Sequence, residues 1–202
     1  MSKLSFLIVG TMKSGTTTLA DLLNKSSKIY LPASELHFFD REFDLGFEWY
    51  QEQLIRDIPF DKVKRNLLIG EKTPTYSYKE NCPERIFSYS KNLKLVWIFR
   101  NPVKRSFSNY LHAVKKGKEI RSFKYCIENE ESRIKDNIFK GYLERSKYVK
   151  QVKRFLNFFD ISQMHFILFE DLLIKPNIVF SKLMDFLECE NDIQDLELPY
   201  SN

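Results

Sequence analysis

The join between the first strand and the first helix constrains this chain most. Leu4-Ser5-Phe6-Leu7-Ile8-Val9 is a short apolar run closed by Gly10, which predicts a buried strand over 4–9. Residues 15–25, GTTTLADLLNK, predict a helix with Leu19, Leu22 and Leu23 on one side. Between them lies Gly10-Thr11-Met12-Lys13-Ser14-Gly15. Two glycines let such a loop turn sharply and let its backbone approach a ligand. The free N–H groups and dipole of the helix start favour an anion there. Lys13 adds a cation, and Thr16, Thr17 and Thr18 add hydroxyls. A plain βα turn with a threonine-rich helix start has the same composition.

The pattern then repeats. Short apolar runs at Lys28–Leu31, Asn66–Ile69, Lys94–Phe99 and His165–Phe169 predict strands. Helices are expected over 47–55, 83–89, 103–115, 142–159 and 175–187, the last with Pro176 in its first turn. The stretch 116–141 is polar and mixed, and reads as a helix with loose ends or a lid. Alternating strands and helices imply an α/β fold: a central parallel sheet flanked by helices, in three layers. The length of 202 residues suits one domain. Ligands of such sheets bind beyond the carboxyl ends of the strands, here after Gly10, around Gly70 and at Arg100.

Charge and cysteine content narrow the class. The net charge of +5 comes from 32 basic and 27 acidic side chains, which is no nucleic-acid footprint. Cys82, Cys126 and Cys189 are far apart, odd in number and without a CxxC, so a disulfide framework or zinc cluster is not expected. That usage favours a reducing compartment and a cytoplasmic protein. His37, His112 and His165 form no metal motif. No apolar run is long enough to span a membrane, and 4–9 lacks a cleavage site after it, so a soluble protein is expected. Oligomeric state leaves no trace in the sequence.

The loop is not the nucleotide triphosphatase loop. In G-x-x-x-x-G-K-[ST] the lysine follows the second glycine. Here Thr16 stands at that place and the lysine lies within the loop, at Lys13. No acidic Mg²⁺ site follows a later strand, so a small-molecule kinase is the weaker alternative. The segment Lys13-Ser14-Gly15-Thr16-Thr17-Thr18-Leu19 resembles the 5′-phosphosulfate loop of sulfotransferases that use 3′-phosphoadenosine 5′-phosphosulfate (PAPS). Ser34-Glu35-Leu36-His37-Phe38-Phe39-Asp40 resembles the E-x-H-F-F-D segment of their heparan sulfate branch, and Glu71-Lys72-Thr73-Pro74-Thr75-Tyr76 its E-K-[ST]-P-x-Y segment. Phe99-Arg100-Asn101-Pro102, with Ser106 to Tyr110, is similar to the family's 3′-phosphate motif. Gly141-Tyr142-Leu143 and Glu170-Asp171-Leu172 resemble its later landmarks.

The resemblance implies roles. Lys13 would neutralise charge on the oxygen bridging phosphate and sulfate, and Ser14, Gly15, Thr16, Thr17 and Thr18 would cradle the 5′-phosphate. Glu35 would be the general base, with its pKa raised by partial burial beside Phe38 and Phe39. His37 would assist or replace it, Asp40 would orient a substrate group, and Lys72 would be a second cation near the sulfate. Arg100 and Ser108 would bind the 3′-phosphate, a task that suits a planar guanidinium and a hydroxyl. Lys104, Arg105 and Lys115–Lys118 read as a solvated basic face. The implied reaction moves a sulfuryl group from PAPS to a hydroxyl or amine of a small molecule or glycan, without a metal. One departure stands out: the branch has a Lys/Arg/Gly-rich closing loop, and Glu197–Asn202 shows none. A PAPS-binding protein without turnover is the corresponding alternative.

Overall fold

The computed structural model describes residues 4–63, 67–193 and 196. In chain order the elements are β1 (Leu4–Gly10), α1 (Thr16–Lys25), β2 (Ile29–Tyr30), α2 (Gly46–Ile55), α3 (Phe60–Val63), β3 (Leu68–Lys72) and α4 (Cys82–Tyr89). They continue with β4 (Lys94–Phe99), α5 (Pro102–Lys115), α6 (Phe123–Glu128), α7 (Glu130–Asp136), α8 (Tyr148–Leu156), β5 (Met164–Leu168), α9 (Phe169–Ile174) and α10 (Pro176–Leu187). The five strands form one sheet in the order β2-β3-β1-β4-β5. Every pair is parallel, so all carboxyl ends share one edge.

The pleat explains the layers. Alternate residues of a strand face opposite sides of a sheet. Phe6 and Ile8 of β1 join Val96 and Ile98 of β4 against Leu19, Leu22 and Leu23 of α1 and Phe180, Leu183 and Met184 of α10. Leu7 and Val9 join Leu95 and Trp97 on the other side, against Tyr50 and Leu54 of α2, Ile86 of α4 and Phe155 of α8. Each such side chain contributes about 1.5–3 kcal/mol when fully buried. The α/β class expected from the alternation is the one observed.

Several boundaries differ from the sequence reading. β3 runs on through Gly70 and Glu71 to Lys72, so Lys72 ends a strand rather than following one. Asn66, the expected start of that strand, lies outside the described residues, as does 197–202. The stretch 116–141 holds two short helices, α6 and α7, in place of one. They are anchored by a buried ion pair between Glu119 and Arg133, with the Tyr142 hydroxyl donating to Glu119 at 3.0 Å. The helix expected from 142 begins at Tyr148, and Leu143, Val149 and Leu156 of its supposed inner face are exposed. β5 stops at Leu168, and Phe169 opens α9.

Candidate active site

The loop after β1 is held from three sides. The Thr11 N–H and hydroxyl both donate to the Ile98 carbonyl, each at 2.9 Å, and so fasten it to β4. The Ser77 N–H donates to the Val9 carbonyl from the turn after β3. A side chain at Gly10 would collide with Ser77, and one at Gly15 would meet the Phe169 ring at 2.5 Å. Gly15 also has φ +89°, a conformation that costs any other residue energy. It precedes α1, whose first turn has no side-chain cap and no acidic residue. The N–H groups of that turn are thus available to an anion.

Lys13 sits at the apex with φ +69°. Burial, then the charges of Arg100 and Lys115, hold its ammonium below the ordinary lysine pKa. Arg100 leaves the end of β4 and donates to the Lys13 carbonyl at 3.2 Å, while its guanidinium lies over the Phe169 ring, 4.9 Å from the centroid. Its Nε is buried without a partner among the described residues. Ser108 is half-buried on α5, and among the described residues no hydrogen bond joins it to Arg100, which donates to the Lys13 carbonyl instead. Within the expected cradle, the Ser14 hydroxyl is turned inward and pairs with Thr11 at 2.7 Å. Thr17 instead faces the second cation, accepting from Lys72 Nζ at 3.4 Å.

Lys72 links the loop to the acid cluster. Its side chain is 7% exposed and its Nζ stands 3.7 Å from Glu35 Oε1. Glu35 Oε2 is 3.4 Å from His37 Nε2, and His37 Nδ1 is 3.1 Å from the fully buried carboxylate of Asp40. The result is a line Asp40–His37–Glu35–Lys72. Hydrogen bonds from Asp40 and then Glu35 push His37 up to about 9. Glu35 corrects the sequence reading. Burial raises its pKa, but the His37 hydrogen bond and the Lys72 charge together outweigh burial, and the net shift is downward.

The segment carrying these groups is irregular. His37 has φ +52° and precedes a single π-type turn, Phe38–Glu42, in which the His37 carbonyl accepts from both Arg41 and Glu42. Phe38 and Phe39 anchor it, Phe38 stacking on Tyr50 at 4.4 Å. Arg85 of α4 donates to the Phe39 carbonyl at 3.0 Å.

One arginine departs from the sequence reading, and a second lies outside it. Arg105 is not part of a solvated face; it is wholly buried. It donates to Ser146 Oγ at 2.7 Å, to Asn109 at 3.1 Å, to the Met12 carbonyl at 3.4 Å and to the Tyr142 carbonyl. Its place one turn into α5 points it at the underside of the loop. Arg145 is buried between the rings of Tyr78 and Phe139, with Nη1 3.0 Å from Met12 Sδ. No local pattern marks Arg145; the pairing is tertiary.

Comparison with known proteins gives the family and the fold. The sulfotransferase-domain family matches residues 4–198, and the chain belongs to that family. Human heparan sulfate glucosamine 3-O-sulfotransferase 3B1 is 30% identical over 190 residues, which are 94% of this chain and 47% of that protein. Mouse heparan sulfate glucosamine 3-O-sulfotransferase 5 is 30% identical over 201 residues, 96% of this chain and 56% of that protein. The chain thus spans about half the length of the curated relatives it matches. A crystal structure of a sulfotransferase from Alicyclobacillus acidocaldarius superposes with a TM-score of 0.82 at 28% identity, covering 98% of this chain and 87% of that one. A mouse sulfotransferase solved with PAP shares the fold, with a TM-score of 0.59 at 18% identity over 96% of this chain and 62% of that one.

Proposed function

We propose that residues 1–202 form one sulfotransferase domain that moves a sulfuryl group from PAPS to a hydroxyl or amine, with a carbohydrate as the favoured acceptor. The observation that carries this reading is Glu35 held between Lys72 and His37 beside the loop of Lys13. An ionised carboxylate next to two cations can take a proton from an attacking nucleophile while charge on the leaving group is neutralised. The carbohydrate preference is supported by the names of the 30%-identical relatives.

The residues present fit the donor. The uncapped start of α1, the tight packing at Gly10 and Gly15 and the cations Lys13 and Lys72 suit its 5′ end. Arg100, with its unpartnered Nε, and Ser108 suit a 3′-phosphate. PAPS, when bound, supplies the sulfuryl group. Glu35 is the base: it accepts the acceptor's proton at a carboxylate oxygen. His37, fixed by Asp40, orients Glu35 and keeps it ionised. Lys13 and Lys72 stabilise negative charge as it develops on the leaving oxygen. Cys82, Cys126 and Cys189 are free thiols, which fits a cytoplasmic setting. No helix among the described residues is long and apolar enough to cross a membrane.

Calorimetry with PAP tests the donor site: wild type binds, and Arg100→Ala weakens binding by tenfold or more, on the order expected for a charge-assisted contact. Absence of binding by wild type, or tighter binding of ATP with Mg²⁺, overturns the reading. Transfer of labelled sulfate from PAPS to heparan sulfate tests the chemistry. Glu35→Gln lowers it by roughly 100- to 10,000-fold with PAP affinity retained.

A further inference from the structure

Glu71 has a side chain that the proposed chemistry does not use. It is fully buried at 0% exposure on β3, next to Lys72 but facing away from it. No lysine or arginine pairs with it among the described residues, which is unusual for a buried carboxylate. Its partners are all neutral donors. Thr73 donates to Oε1 and Tyr50 donates to Oε2 at 3.1 Å. No other hydrogen bond reaches its carboxylate among the described residues.

Both donors touch one stretch of chain. His37 N–H donates to Thr73 Oγ1 at 3.4 Å, and the ring of Phe38 stacks on Tyr50 at 4.4 Å. One carboxylate therefore reaches the His37 amide through the Thr73 hydroxyl and the Phe38 ring through Tyr50. The stretch needs such support, because His37 has φ +52°, where a non-glycine residue is held only by its surroundings.

We propose that Glu71 is a positioning residue: through Thr73 and Tyr50 its carboxylate clamps His37 and Phe38 in place and thereby sets the contact between Glu35 and His37. This rests on the reading of Glu35 as the base, but the clamp has a readout of its own. Burial pushes Glu71 up to about 7, as expected for an acid whose charge is balanced only by hydroxyls. The clamp also accounts for Tyr50, whose hydroxyl would otherwise lie unused in the core.

The test uses Glu71→Gln, which keeps volume but presents donors where the clamp needs acceptors, with Thr73→Val and Tyr50→Phe each removing one bridge. Histidine-selective NMR follows the His37 titration, calorimetry follows PAP affinity, and sulfate transfer to heparan sulfate gives kcat and KM. In Glu71→Gln the His37 midpoint should fall from about 9 by roughly one pH unit or more as its contact with Glu35 loosens. Its kcat should drop about 10- to 100-fold, the size expected for a misplaced catalytic group, with PAP affinity within about twofold of wild type. The single-bridge variants should shift His37 in the same direction by less, and they decide if Glu71→Gln does not fold. An unchanged His37 midpoint in the folded variants overturns the clamp, as does a loss of PAP affinity parallel to the loss of kcat. Full turnover by Glu35→Gln would instead remove the base assignment while leaving the His37 result intact.

Discussion

His37 stands between two carboxylates, and its protonation state governs both. With its pKa at about 9 against an ordinary 6.5, it is an imidazolium across the neutral range. The folded state therefore holds this proton more tightly than the unfolded chain. The stabilisation is complete below pH 6.5 and is lost as pH rises through about 9. Glu35 works in the opposite sense: its lowered pKa stabilises the fold above its ordinary 4.5 and ceases to do so as pH falls through the folded value. Both signs lead to one kinetic expectation. The pH profile of kcat/KM should carry a basic limb near pH 9 that reports His37. His37→Gln should abolish that limb, and denaturant midpoints of wild type and variant should converge between pH 6.5 and 9. A basic limb that survives in His37→Gln would show that another group titrates there. Lys13, Glu35, His37 and Lys72 are legible in sequence because each lies in a local motif. The sign of the Glu35 shift is not, because it depends on the His37 hydrogen bond acting together with Lys72, which arrives from β3 to 3.7 Å, against the burial of the carboxylate. Arg105 escapes a sequence reading for a similar reason: its acceptors come from Met12, Tyr142 and Ser146, remote in sequence.

At the scale of elements, the loop between β1 and α1 owes its shape to packing as much as to glycine's freedom. Gly15 and Gly117 both have positive φ, but an added methyl at Gly117 meets nothing within 4 Å, while at Gly15 it runs into Phe169. Gly117→Ala should thus cost only the backbone penalty, about 1 kcal/mol. Gly15→Ala adds a steric clash, for a total of roughly 2–4 kcal/mol, and should also weaken PAP binding by displacing the loop. Thermal unfolding and calorimetry on the two variants separate these effects; equal destabilisation would mean that Phe169 yields freely. The strand–loop–helix join is readable from sequence, since periodicity and glycine spacing are local. The two helices within 116–141 are not. They are fixed by the Glu119–Arg133 ion pair and Tyr142 rather than by an apolar stripe, and a polar stretch held by a buried charge resembles a solvated one.

Across the whole molecule, the parallel sheet gathers the ends of β1, β3 and β4 at one edge, which is where the loop, Lys72 and Arg100 emerge. The apolar packing of both faces has an optical consequence. The chain has two tryptophans. Trp97 is wholly enclosed on β4, edge-on to Phe155 at 4.9 Å, and its indole N–H has no partner among the described residues. Trp49 lies on α2, stacked at 6.2 Å over Phe38, the residue that follows His37. Emission from Trp97 should change only when the sheet opens, whereas emission from Trp49 should respond to the neighbourhood of the base. Intrinsic fluorescence of the unlabelled protein should therefore shift in two separable stages. A small change near pH 9, the His37 midpoint, should vanish in Trp49→Phe, and a larger one on denaturation should persist there, carried by Trp97. A pH-linked signal that persists in Trp49→Phe would place its origin elsewhere.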